Sequence, residues 1–247
     1  NDDYVGTEPI QTIETLNISA QNISDLTGIE GFTSLKKLYF HRNTISSSVD
    51  LSSLLLLEEV VAYENQIPSI DISNSVNLYK LSIRDNSLTN LDVSNFPKLK
   101  ELTCGDNLLS SINVTNNPLL EKLYIYGNTN ISSLDVTNNL ELYDLSFSNT
   151  NISTINISVN TKLWYLSFSN CSITSIDISN NLDLSEIYAD GSQLTSFDIS
   201  KHPKVEVLRL QNNNLSSLNL KNGNAANLSD FNATGNSSLS CIAVNDV

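Results

Sequence analysis

The chain has 247 residues, a formal net charge of −14 and a pI near 4.3. Nucleic acids and anionic membranes are polyanions, so a uniformly acidic surface speaks against both and suits a salty environment or a cationic partner. No apolar run reaches the ~18 residues that a membrane-spanning helix needs. The most apolar stretch, LSSLLLLEEVVA from Leu51, is broken by Glu58 and Glu59.

The chain starts at Asn1 and contains no Met. That reads as a processed or excised fragment in which any signal peptide is no longer visible. Cys104, Cys171 and Cys241 are far apart with no C-x-x-C, which excludes a zinc ribbon and a disulfide-dense scaffold. N-x-S/T triplets at Asn17, Asn113, Asn130 and Asn156 follow from an Asn- and Ser-rich composition. They matter only in a eukaryotic secretory setting.

Residues 1–12 form no repeat and read as the remnant of an N-terminal cap. From there a unit recurs whose first apolar position falls at Ile13, Leu35, Leu57, Leu78, Leu99, Leu120, Leu142, Leu163, Leu184, Val205 and Leu228. The spacing stays between 21 and 23 residues over eleven units, the mark of a solenoid. Length alone suggests one or two domains, but a repeat array grows in one dimension as a single unit. The alternating core of each unit, such as Leu81-Ser82-Ile83, predicts a short strand with one buried face. One coil cannot bury that face alone. Coils stacked at about 4.8 Å can, with their strands forming a parallel sheet.

The ninth position of the unit is Asn43, Asn65, Asn86, Asn107, Asn128, Asn213 and Asn236. An inward Asn there satisfies backbone groups where the chain turns out of the sheet. Gln21, Thr150, Cys171 and Ser192 replace it and weaken the ladder locally. Cys104 and Cys171 fall at inward positions and read as buried, inert thiols. The second half of the unit, as in Ile70-Asp71-Ile72-Ser73 or Leu134-Asp135-Val136-Thr137, again alternates apolar and polar. It is too short for a helix and rich in β-branched residues, which predicts short strands on the convex side. The unit around Leu26-Thr-Gly-Ile29 has a different convex half, and extra residues sit before Ile131 and within 221–227. The array closes with residues 240–247, a C-terminal cap segment in which Cys241 lacks a partner within the chain.

The pattern L-x-x-L-x-L-x-x-[N/C]-x-L over residues 13–239 resembles the leucine-rich repeat family. Its 21- to 22-residue units are similar to the short repeats of bacterial secreted and surface proteins, internalins among them, rather than to the longer helical repeats of ribonuclease inhibitor. The resemblance implies a mainly β, curved, right-handed solenoid of about eleven coils, with a parallel inner sheet and an extended, helix-poor convex side. It also implies a non-enzymatic protein that is secreted or on the cell surface.

No catalytic constellation is found. The only histidines are His41, on the inner strand surface, and His202, which precedes Pro203 and reads as a solvated loop residue. No metalloprotease, P-loop or nucleophile-elbow motif is present. Asp71 and Asp92, and likewise Asp177 and Asp198, stack on adjacent convex coils. Calcium between them is the weaker reading, and carboxylates bonded to turn amides are the stronger one. No cofactor is expected.

The inner sheet carries the stronger signal. Six of the nine tyrosines, Tyr39, Tyr63, Tyr124, Tyr126, Tyr165 and Tyr188, fall at its outward positions. Lys37, His41, Arg42, Lys80, Arg84 and Arg209 join them. Tyrosine anchors interfaces, and concave faces of solenoids are binding surfaces. The first four coils form an aromatic and cationic patch suited to an acidic protein or an anionic glycan. Ser146, Ser148, Ser167 and Ser169, edged by Trp164, form a flat stretch that is either a spacer or a groove floor. The reading that follows is an adhesion or recognition module for a protein or polysaccharide. The alternatives are a structural spacer that self-associates through its solenoid ends, and an enzyme inhibitor or regulator.

Overall fold

A computed structural model describes residues 10–223 and 227–245. Most of the proposed N-terminal cap and part of the 221–227 insertion lie outside these residues. Eleven three-residue strands stack into one parallel sheet in chain order, from Thr15–Asn17 through Lys37–Tyr39, Glu59–Val61, Lys80–Ser82, Glu101–Thr103, Lys122–Tyr124, Asp144–Ser146, Tyr165–Ser167, Glu186–Tyr188 and Val207–Arg209 to Asp230–Asn232. Pairing registers equal the sequence period. Lys80 faces Glu101, Leu123 faces Leu145 and Val207 faces Asp230. The inserted residues are therefore absorbed outside the sheet, where no register is lost.

Alternation sets the core. The central strand residue points inward and is fully buried in coil after coil, as at Leu38, Leu81, Leu102, Leu123, Leu145 and Leu166. Each such side chain contributes about 1.5–3 kcal/mol relative to exposure. Cys104, two residues beyond Leu102, and Cys171, at the asparagine position, are also buried, and burial pushes the Cys104 thiol up to about 12, so it stays protonated and unreactive.

The asparagine ladder forms as its spacing predicts. The Asn128 amide donates to the carbonyls of Cys104 and Ile125 at 3.0 and 2.9 Å, and its Oδ1 accepts the Leu109 N–H at 3.0 Å. Asn65, Asn86, Asn107 and Asn213 repeat the arrangement. In coils seven to nine the substitutes do less. Thr150 donates once to the Phe147 carbonyl, and Ser192 donates to that of Phe168 while accepting the Cys171 N–H.

The chain leaves each strand through one residue in the left-handed region, among them Arg42, Glu64, Asp85, Asp106, Asn149 and Asn170. Gly127 takes this place in the sixth coil with φ 72°, and a Cβ there would approach Asp106 Oδ1 to 2.0 Å. Other coils place non-glycine residues in this conformation, so the close approach of Asp106 is what favours glycine here.

Two expectations change. First, among the described residues, paired convex strands occur only toward the ends. Val49–Asp50 pairs with Ile70–Asp71, and Ser196–Asp198, Ser217–Asn219 and Ile242–Ala243 form a second ladder. The halves at 91–94, 134–137, 155–158 and 176–179 are extended but unpaired. Clefts of 180 and 420 Å³ open between neighbouring segments on this side. Second, His202 is not a solvated loop residue. It is 2% exposed, with Nε2 2.9 Å from the Ile178 carbonyl. It occupies the inward corner where earlier coils place Asn117, Asn139, Asn160 and Asn181, each donating to two carbonyls of the coil before. This is a second ladder. The entry segment near Ile29 closes through a short 3₁₀ turn, Ile29–Gly31.

Candidate ligand-binding face

Side chains at the first and third residues of each strand, and at the residue two further on, leave the sheet on its concave side. Lys37, Glu59, Lys80, Glu101, Lys122 and Asp144 follow one another at the first of these positions, and registered pairing sets them side by side. Opposite charges so placed attract. Lys37 and Lys80 both lie 3.7 Å from Glu59, and Lys80 and Lys122 lie 3.2 and 3.5 Å from Glu101. The Tyr39 and Tyr79 hydroxyls also donate to Glu59 at 3.0 Å, so this carboxylate is buried but amply paired.

The arginines are paired as well. Arg42 bonds Glu64 at 3.0 Å, Arg84 bonds Glu64 at 3.3 Å and also Asp85, and Arg209 bonds Asp230 at 2.9 Å. Tyr63 is sandwiched, with the His41 ring stacked at 4.4 Å and the Arg84 guanidinium 4.5 Å from its centroid. Burial, reinforced by Arg42, depresses the His41 pKa, so its ring is neutral at pH 7. The patch that the sequence presents as cationic is thus neutralised within the face. Its surplus charge does not favour an anionic ligand.

The groove lies further along. It is open, about 780 Å³ in volume, and runs from Tyr63 and Arg84 past Tyr124 and Tyr126 to Trp164 and Tyr165. Tyr126 lies flat across Gly105, where a Cβ would meet its ring at 2.8 Å. Ser146 lines the groove and is buried, as are Ser148 and Ser167 on the same strand face. Ser148 and Ser167 are bonded at 2.7 Å, and the Ser169 N–H donates to Ser148 at 2.9 Å. The serine stretch is therefore braced by its own hydrogen bonds, and Ser146 is the member of it that lines the groove. Tyr165 packs against Tyr188 at 5.5 Å and edge-on to Trp164 at 5.9 Å.

Asp144 and Glu186 stand on either side of Tyr165 in register. Glu186 accepts the Tyr188 hydroxyl at 3.1 Å, and Asp144 accepts that of Tyr124. Burial raises the Asp144 pKa and, with the Asp144 bond, that of Tyr124. The sign of the linkage is definite. A carboxylate whose folded pKa is raised contributes most when protonated, below the ordinary 3.8, and that stability is lost as pH rises through the raised value. Asp144→Asn, which keeps an acceptor for Tyr124, is expected to raise the urea midpoint at pH 7 and to leave it unchanged below about pH 3.8. Urea titrations of both proteins across this range check it.

The convex carboxylates Asp71, Asp92, Asp177 and Asp198 are engaged in turns. Each accepts the N–H two residues on, at 3.0, 2.9, 2.9 and 2.7 Å. These bonds hold the Asp92 and Asp177 carboxyls below the ordinary range. At Asp198 burial pulls upward, but its bonds to Ser200 and Asn219 outweigh it. Among the described residues, no group of three or more His, Cys, Asp or Glu side chains is placed to hold a metal ion. No described helix is long and apolar enough to cross a membrane.

The sequence places all twelve candidate residues on or beside this face. The groove brings together Tyr63, Lys80, Arg84, Tyr124, Tyr126 and Tyr165. Lys37, Tyr39, His41 and Arg42 lie toward the first coils, and Tyr188 and Arg209 toward the last. Sequence reasoning passes over Asp144, Glu186 and Gly105. The signal for Gly105 was present, since it is an outward strand position with no side chain beside a tyrosine on the next coil.

The fold is that of the leucine-rich-repeat solenoids, with short coils of about 21 residues and almost no helix. The functional domain of internalin J (InlJ) from Listeria monocytogenes is similar at 29% identity with a TM-score of 0.80, over 94% of this chain and 56% of that one. The chain thus spans little more than half the length of that relative. That domain includes a cysteine ladder, whereas the three cysteines here lie on distant coils. The same fold occurs in the PEPR1–AtPEP1 complex (23% identity, TM-score 0.69, 77% of this chain and 30% of that one). It occurs again in the plant peptide hormone receptor RGFR1 in complex with RGF2 (18%, 0.62, 88% and 40%). No protein-family model and no curated protein matches the chain.

Proposed function

We propose that the chain is a non-enzymatic recognition module of a secreted or cell-surface bacterial protein, binding a protein or polysaccharide through its concave sheet. One observation carries the reading. Tyrosine and tryptophan rings, which ordinarily seek the core, line an open groove on an otherwise polar, acidic molecule. Similarity to the internalin J domain supports the bacterial surface setting.

The test is a pull-down from the native environment beside a glycan array, with wild type and a Tyr63→Ala/Tyr126→Ala/Trp164→Ala variant. The variant is expected to lose the captured ligand while its circular dichroism is unchanged, because these three rings make no ladder bonds. Undiminished capture would overturn the reading.

A further inference from the structure

The basic residues of the concave strands stop at Lys122 and resume at Arg209. The three coils between present Asp144, Glu186 and Asp190 around Tyr165, Tyr188 and Trp164, with no Lys or Arg on the strand face. Asp190 is served by the Ser169 hydroxyl at 2.7 Å and Glu186 by Tyr188.

Asp144 is different. It is only 6% exposed and lines the groove, yet its Oδ1 is buried without a hydrogen-bond partner. Lys122, its neighbour in register, leans away to Glu101 and over the Tyr143 ring. The other carboxylates in the same strand row, Glu59, Glu101 and Asp230, each have a Lys or Arg within 4.0 Å, while Asp144 and Glu186 have none among the described residues. A buried carboxylate oxygen without a donor is costly. The missing group must therefore donate and should be positive. The ring faces beside it carry negative quadrupoles and attract the same kind of group.

We infer that this end of the groove is a subsite for a lysine or arginine side chain of a polypeptide partner, its charge seated between Asp144 and Glu186 against Tyr165 and Trp164. The inference rests on the concave-face reading and names the chemistry of its ligand. Depth favours a polypeptide over an amino sugar. Asp144 Oδ1 is buried at the groove wall, and a charge at the end of a long, flexible apolar stem is better suited to reach it than an amine fixed to a sugar ring. The net charge of −14 steers a basic partner toward the face from a distance.

The experiment measures fluorescence anisotropy of labelled hexalysine and hexaarginine at about 0.15 M salt, with lysine-acetylated hexalysine and a glucosamine hexamer as comparison probes. Asp144→Asn/Glu186→Gln is set against Glu141→Gln/Asp183→Asn, which has the same net charge but alters only edge carboxylates paired with Lys162 and Lys204. The expected result is at least about tenfold weaker peptide binding for the groove variant, within twofold of wild type for the edge variant, and no binding of the acetylated peptide. Equal weakening in both variants, absence of peptide binding, or tighter and equally Asp144-dependent binding of the glucosamine hexamer would overturn the proposal. The two readings fail separately. A captured native ligand that needs Tyr63, Tyr126 and Trp164 but ignores Asp144 and Glu186 leaves the concave face standing and removes the cation subsite.

Discussion

Asn128→Ala is expected to lower the unfolding free energy by about 3–5 kcal/mol. The side chain is fully buried, and its amide and Oδ1 serve two carbonyls and one N–H, on its own coil and the one before. Alanine leaves the Ile125 carbonyl and the Leu109 N–H buried without that partner, while the Cys104 carbonyl keeps its bond from the Asn107 amide at 3.1 Å, and each orphaned group costs about 1–3 kcal/mol. The chain itself supplies the control. Ser192 fills the same position three coils later, accepting one N–H and donating to one carbonyl. Asn128→Ser is therefore expected to lose roughly half as much. Urea midpoints at unchanged m decide, and a loss under about 1 kcal/mol for the alanine variant would mean that the ladder is ornamental.

Phe168→Ala is the second large effect, again about 3–5 kcal/mol. Phe168 is fully buried and stacks on Phe147 of the previous coil, with centroids 5.9 Å apart at 15°. These two rings sit in the coils where the asparagine ladder has lapsed to Thr150 and Cys171. Apolar packing there carries more of the coupling between coils. Ser167 and Ser169 flank Phe168 in sequence, so the cavity left by alanine opens directly behind the serine stretch. Phe168→Leu keeps most of the volume and is expected to cost about 1.5 kcal/mol or less. The single tryptophan, Trp164, immediately precedes the strand that Phe168 follows, and its near-ultraviolet dichroism should fall in the alanine variant and persist in the leucine one. An unchanged urea midpoint for Phe168→Ala would refute the packing account.

The architecture was legible because repetition averages out local ambiguity. A three-residue strand is weak evidence once, but eleven registered copies fix period, inward positions and sheet direction together. The first ladder was legible from its conserved spacing within the chain, as at Asn86 and Asn107. The second was not read, although Asn117, Asn139, Asn160 and Asn181 also recur at the repeat period. A polar residue near proline suggests a turn, and only the closed coil shows that this corner points inward. His202 was misplaced for the same reason.

The site was legible as a face but not as a charge pattern. Lys37, Glu59, Lys80, Glu101, Lys122 and Asp144 alternate in sign at one position of successive coils. Read one coil at a time they look like free charges, and read across coils they are a row of ion pairs. That Lys122 turns from Asp144 toward Glu101 depends on side-chain choices that no period encodes.

The lapse of the ladder at Thr150, Cys171 and Ser192 has a mechanical consequence. A solenoid is a series of links, each joined only to its neighbours, and a series opens first at its weakest joint. Here that joint lies directly behind the groove. A ligand reaching from Asp144 to Glu186 would bridge three links across it, acting as a splint on the part of the rod least able to hold itself straight.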